Sequence, residues 1–279
     1  MKKLKITPGR LILISLLLIV LIVQIYPILW ILLSSFKTQG EFQTGNPFSL
    51  PDHLNLNNYI RAFTVAKLNL FFKNSIIITI GSVLGISIFG SMAAFVIEKM
   101  HFRISKPLLT FFIAGIMIPI QVTLIPMFII YNKTGLLNTY WSLILPQIGF
   151  ALPMSIYLFT AFYRYIPDEI VSAAAIDGCN IYQLFYKIII PMSKNTFITV
   201  ITMNAIFVWN EFVLANTFIS ETIMKTIPIG LYDYQGDFGN TDWGATFAAI
   251  TVTILPILVL YFILNKRIVV GMAAGAIKE

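Results

Sequence analysis

Residues Pro167 to Pro191 read PDEIVSAAAIDGCNIYQLFYKIIIP, and they lie between two long apolar runs, 140–162 before and 196–219 after. The stretch is written as helix, turn, helix. Asp168 and Glu169 stand where the positive end of a helix dipole favours carboxylates, Ala173, Ala174 and Ala175 favour helix, and Gly178 supplies the left-handed residue that ends it. Asn180 then caps a second helix, with Gln183 at the capping-box position. In that second helix Ile181, Leu184, Phe185, Ile188 and Ile189 recur at i, i+3, i+4, i+7 and i+8, which makes one apolar face on a loop. Such a face needs a surface, either the chain's own helices and the membrane, or a partner.

Outward from this loop, the chain of 279 residues is 58% hydrophobic and 11% charged, where a soluble domain carries about a quarter charged residues. Apolar runs at 11–33, 74–97, 107–131, 140–162, 196–219 and 243–264 are each long enough for a ~30 Å hydrocarbon core. The expected fold is an all-α polytopic membrane protein: one domain over 1–279, six transmembrane helices, and the loop 163–195 as its longest interior segment. The first run follows Lys2, Lys3, Lys5 and Arg10, but it is too long for a signal-peptide core and no small-x-small cleavage site follows, so it reads as a retained span.

Six spans put both termini on one side. Of the nineteen Lys and Arg residues, only Lys37, Arg61, Lys67, Lys73, Lys133 and Lys225 fall on the other side, which predicts cytoplasmic termini in a bacterial-type inner membrane. The same placement assigns the net charge of +7 to membrane topology rather than to nucleic acid. The lone Cys179 excludes an intrachain disulfide, and His53 and His101 are far apart, so no metal site is expected. No phosphate-cradling Gly-x-x-x-x-Gly-Lys-Ser/Thr loop, Ser-His-Asp set or His-Glu-x-x-His pair is present, so neither catalysis nor a cofactor is expected of this chain.

Within the spans, Gly81-x-x-x-Gly85, repeated by Gly90 and Ala94, lets helices approach closely. Pro119 with Pro126 and Pro146 with Pro153 each free a backbone carbonyl and predict bent, interior-facing spans. The long connection after span one, with Pro47, Pro51 and the Asn-rich 55–58 segment, predicts an ordered external cap and a short helix near 58–65.

The 167–191 segment resembles the EAA loop of binding-protein-dependent ABC importers, whose pattern is Glu-Ala-Ala, x-Ile-Asp-Gly-Ala and Ile-x-Leu-Pro. Ala173, Ala174, Ile176, Asp177, Gly178, Ile188 and Pro191 match; Ser172 replaces the glutamate, Cys179 an alanine and Asn195 a frequent final proline. The resemblance covers nearly the whole chain and is closest to maltose-type sugar permeases, the subunit without the large external insert. Leu56-Asn57-Asn58-Tyr59, Gly135 to Thr139, Trp209 to Phe212, Ile227 to Leu231, Asp242-Trp243-Gly244 and the tail Gly271 to Lys278 stand in that family's order.

The resemblance implies that Ser172, Ala173, Ala174, Asp177, Gly178, Ile181, Leu184, Phe185 and Pro191 couple the chain to a cytoplasmic ATPase. It also implies a second permease subunit, two ATP-binding subunits, an external solute-binding protein and a sugar as cargo. In span five, Asn204, Trp209, Asn210 and Glu211 offer amides, a carboxylate and an indole within the membrane, where polar groups face the bundle interior or water. They are candidates for the translocation pathway, through hydrogen bonds and ring stacking, or for polar contact with the partner permease. Other readings are an ABC permease for a non-sugar solute, a secondary transporter, which would want an inverted repeat and ionisable relays, and a channel or membrane-bound enzyme, which would want a filter or a catalytic cluster.

Overall fold

The computed structural model of the chain describes residues 8–65, 67–100, 102–233 and 241–276, and every regular element among them is helical. Lys2, Lys3, Lys5, His101, the loop 234–240 and the tail end at Lys278 lie outside the described residues. In chain order the α-helices are α1 (Pro8–Ser34), α2 (Gln39–Thr44), α3 (Asn57–Thr64), α4 (Leu68–Lys99), α5 (Ser105–Gly115), α6 (Ile120–Thr134), α7 (Trp141–Tyr163), α8 (Asp168–Ile176), α9 (Ile181–Leu184), α10 (Ile190–Met192), α11 (Lys194–Trp209), α12 (Val213–Phe218), α13 (Ile227–Asp233) and α14 (Trp243–Ala276).

Four of these, α1, α4, α7 and α14, are long and apolar enough to cross a bilayer unbroken, and two bent pairs raise the number to six if each pair makes one span. The first pair is α5 with α6, bent by 89°. The run 107–131 is therefore not one kinked helix: Pro119 takes an extended conformation at the head of α6, because it has no N–H to continue the ladder from α5. Pro126, Pro146 and Pro153, by contrast, sit inside continuous helices. The second pair joins the 181–192 segment to α11 at 78°. The 16 residues of α11 reach ~24 Å, short of a ~30 Å core. The run expected at 196–219 breaks at Asn210 to Phe212 and resumes as α12.

The chain forms two compact units, Met1–Asn69 with Leu231–Leu255 and Leu70–Gly230 with Pro256–Glu279. In the first, α1 buries only Ser34, packs Trp30 edge-on against Phe247 with ring centroids 5.1 Å apart and leaves Pro8 to Leu29 exposed, as a helix with lipid or another subunit for a neighbour does. Beyond it the chain folds on polar clasps. The wholly buried Lys37 donates to the Pro47 carbonyl at 2.9 Å, and the buried Asn58 amide donates to the carbonyls of Ser35 and Lys37 at 2.7 and 2.8 Å. Arg61 donates to the Asn58 side-chain oxygen at 2.8 Å and pairs with Asp242 at 3.0 Å. A Cβ on Gly244 would lie 2.7 Å from that Asn58 amide, so the close approach of α14 requires glycine there.

The second unit carries an apolar core that includes Ile78, Ile86, Leu143, Ile156, Phe159, Val200, Leu214 and Phe218. Gly81 and Gly85 of α4 face Ile144 and Ile148 of α7, the small-residue packing that membrane helices use in place of a hydrophobic drive. α5 and α11 also pack on α7, and α12 rests on α6 and α7.

Candidate functional site

The segment between α7 and α11 is built by local rules. α8 begins with Asp168 and Glu169 in its first turn and ends in a left-handed Gly178, φ +80, with the Cys179 N–H donating back to the Ala174 carbonyl at 3.0 Å. A Cβ at Gly178 would meet nothing within 4 Å. Backbone conformation, not space, therefore restricts the position. Asn180 and Gln183 form a reciprocal capping box, with the Gln183 N–H donating to Asn180 at 2.9 Å and the Asn180 N–H to Gln183 at 3.0 Å. α9 then runs into a π turn, Phe185–Ile189. Pro191, at the start of α10, explains that turn: it offers no N–H to the preceding carbonyls and its ring would clash with the one four residues back, a conflict that a widened turn relieves.

The apolar face expected over Ile181, Leu184 and Phe185 is divided. Phe185 and Ile189 are buried in the chain itself, with the Phe185 ring 5.2 Å from Phe95 of α4, and Leu184 is half-buried. The surface left outward consists of Ile176, 85% exposed, Tyr182, 70%, Tyr186, 60%, and the edge of Ile181, beside exposed Ser172, Ala173 and Asp177. Ala174 is turned inward. Periodicity found the face without finding which edge α4 would take, and the exposed tyrosines escaped it.

A second feature had no local signal in the sequence. Lys99, at the end of α4, keeps only 4% of its side chain accessible and donates to the Ile166 carbonyl at 2.6 Å and to Asp168 at 2.7 Å. Its neighbour Glu98 accepts from Arg164 at 3.0 Å. Two consecutive residues of α4 thus hold both flanks of the turn into α8.

The four polar residues of span five take separate places. Asn204 is buried and donates to the Val200 carbonyl at 2.8 Å and to Ser155 of α7 at 3.3 Å, a polar interhelical contact made within this chain. Trp209 packs edge-on against Phe72, with ring centroids 5.5 Å apart, and lines an almost wholly apolar cavity of about 360 Å3 with Thr79, Ser87, Ala205 and Pro256. Asn210 is exposed and donates back to the Ile206 carbonyl at 2.8 Å. Glu211 accepts from the N–H groups of Leu214 and Ala215 at 2.7 and 3.1 Å, so its carboxylate caps α12 where the span breaks.

The family model described as "Binding-protein-dependent transport system inner membrane component" matches residues 86–273, a stretch that includes the α8 to α10 loop and both bent pairs. The chain belongs to this family. Its members are permeases of ABC importers, which work in general with a partner permease, ATP-binding subunits and a solute-binding protein, and this permease is a multi-pass membrane protein of the sugar-importer type. It is 41% identical to a putative ABC transporter permease protein, ORF2, of Caldicellulosiruptor sp., over 90% of this chain and 91% of that one. It is 32% identical to the diacetylchitobiose uptake system permease protein NgcG of Streptomyces coelicolor, over 92% and 85%. A bacterial ABC transporter that imports the acidic polysaccharide alginate has a chain of the same fold, with a TM-score of 0.80 at 20% identity over 95% of this chain and 98% of that one.

Proposed function

We propose that this permease pairs with a second permease subunit to form the path of an ATP-driven importer for a sugar or oligosaccharide, and that its 163–195 loop is the part that engages a separate ATP-hydrolysing subunit. The observation that carries the reading is the outward apolar surface of Ile176, Tyr182 and Tyr186, on a loop fixed by the Gly178 turn and the Lys99 anchor. Clustered exposed apolar groups on a polar loop mark a protein contact. The family supports the class of partner, and the sugar-system relatives support the class of cargo. Asn204, Trp209, Asn210 and Glu211 then belong to the wall of the path: Trp209 faces a cavity, and the other three hold the broken span in shape. The charge asymmetry supports cytoplasmic termini and a cytoplasmic 163–195 loop.

One preparation tests these points together. In inside-out vesicles carrying the permease with its co-expressed subunits, ATP added to the medium should be hydrolysed faster when the solute-binding protein and its sugar are enclosed. The chain purified alone should hydrolyse none. Stimulation by enclosed ATP with external binding protein would reverse the orientation, and hydrolysis by the verified-pure chain would remove the reading.

A further inference from the structure

Where α4 ends, α5 begins and α7 ends, a cavity of about 370 Å3 opens, lined by Ile97, Glu98, Ser105, Lys106, Leu109 and Arg164. Its polar wall is cationic in sum. Arg164 gives its Nε to Glu98 at 3.0 Å and keeps 67% of its side chain accessible, and the Lys106 ammonium has no partner among the described residues. One carboxylate against two cations leaves one net positive charge facing the cavity. The opposite wall is apolar, with Ile97 buried and Leu109 half-buried. α5 packs on α7 through partly buried residues such as Leu108 and Leu109, while Lys106 and Pro107 at its start are exposed, so the cavity opens at the surface beside the first turn of α5.

We infer that this cavity holds the headgroup phosphate of an anionic phospholipid, with its glycerol and first methylenes against Leu109 and Ile97. Three hydrophobic segments end together here, which places the cations at the level of the headgroups. A guanidinium whose terminal nitrogens have no partner among the described residues, with an ammonium on the same cavity wall, suits a phosphodiester, which accepts two parallel N–H bonds from arginine. The ammonium of a zwitterionic lipid would be brought toward Lys106 and Arg164, so the site selects lipids without one. The positive-inside asymmetry puts this end in the cytoplasmic leaflet, where basic pockets between membrane helices recognise anionic headgroups. The inference rests on the membrane placement alone and holds whichever solute the permease carries.

Native mass spectrometry of the permease, taken with its accompanying subunits from vesicles of equal phosphatidylcholine and phosphatidylglycerol, tests it. Wild type should retain phosphatidylglycerol in preference. Lys106→Gln should weaken retention by about fivefold, the effect of one basic residue near an anionic surface, and Lys106→Glu by more. Leu109→Trp, which fills the apolar wall and leaves both cations, should also lower it, while Lys133→Gln should leave it unchanged. Excess inorganic phosphate should not displace the lipid. Equal retention by wild type, Lys106→Glu and Leu109→Trp would overturn the assignment, and so would displacement by inorganic phosphate or no preference over phosphatidylcholine.

Discussion

The loop between α7 and α11 and the loops that follow α6 and α12 are both tied down by polar side chains, and they differ in what the ties reach. In the latter, polar side chains turn onto backbone: the Asn138 oxygen accepts from the N–H groups of Ser220 and Glu221 at 2.7 and 3.0 Å, and the Asn74 amide donates to the carbonyls of Ile223 and Lys225, each at 2.9 Å. Tyr140 donates to the remaining Asn74 oxygen at 2.8 Å. In the former, apolar side chains turn outward, and Lys99 with Glu98 holds the turn into α8. The loops after α6 and α12 are finished by these bonds to each other and to α4. The loop between α7 and α11 leaves Ile176 and two tyrosines exposed, the surface that the proposed function gives to a partner subunit.

The largest effects should come from the two sides of that loop and should differ in kind. Phe185→Ala empties a buried aromatic site beside Phe95 and should cost about 3–5 kcal/mol of chain stability, as large-to-small core changes do. Ile176→Asp changes an exposed residue, so thermal unfolding of the isolated chain should move little, within about 0.5 kcal/mol. Binding to the ATP-hydrolysing subunit should weaken by about 2 kcal/mol, roughly thirtyfold, if Ile176 sits at the centre of the contact. Thermal unfolding and co-purification read the two separately. Equal losses of chain stability would mean that the exposed surface belongs to the chain's own fold.

Lys99→Met should have an intermediate effect. It keeps the buried stem but strands the Ile166 carbonyl, and an orphaned buried acceptor costs about 1–3 kcal/mol. Asp168 is 57% exposed and stays solvated, so the full penalty of a broken buried pair does not apply. Amides of α8 should exchange faster with deuterium while those in the middle of α4 keep their protection. Unchanged exchange in α8 would show that the capping box and the Gly178 turn hold the loop without its anchor.

The parts of this architecture that were legible in the sequence are those set by neighbours along the chain. The six apolar runs follow from composition, the left-handed Gly178 from the absence of Cβ, and the Asn180 box from a three-residue spacing. What stayed hidden depends on distant partners. Lys99 and Asp168 lie 69 residues apart, so no window contains both. Pro119 breaks a span and Pro126 does not, though the sequence writes them alike. The break after Trp209 was hidden too, so the part Glu211 takes in capping α12 through Leu214 and Ala215 could not be read beside its candidacy for the path. Phe185 and Ile176 are both apolar loop residues, and only the position of Phe95 separates the buried one from the exposed one.

On the finished side of the comparison, Asn138→Ala should cost about 1–2 kcal/mol, because it removes two backbone acceptor bonds from a half-buried side chain and leaves alanine at φ +57, where a Cβ is disfavoured. Asn138→Gly should cost less, since glycine accepts that conformation and loses only the bonds. Solute-stimulated ATPase activity in vesicles should survive both below the unfolding temperature. Loss of that stimulation with stability intact would give the loop a part in transport as well as in the fold.

The smallest effect should be a pH dependence at Glu41, another polar clasp. Burial pushes its carboxyl upward, but the N–H groups of Thr38 and Asp52, at 2.6 and 2.9 Å, the Thr38 hydroxyl at 2.7 Å and the charge of His53 outweigh it and hold the acid below its ordinary value. A carboxyl depressed in the folded state stabilises fully above its unfolded value, and the contribution disappears as pH falls through the folded one. Glu41→Gln keeps one acceptor oxygen and loses the charge. The difference in unfolding temperature between wild type and Glu41→Gln should therefore be constant at neutral pH and close between about pH 5 and pH 3. Because the carboxylate is partly open to solvent, the gap should stay under about 1 kcal/mol. A gap that persists unchanged at the acid end would show that the geometry of the capping box, and not the ionised carboxylate, ties the 38–52 segment together.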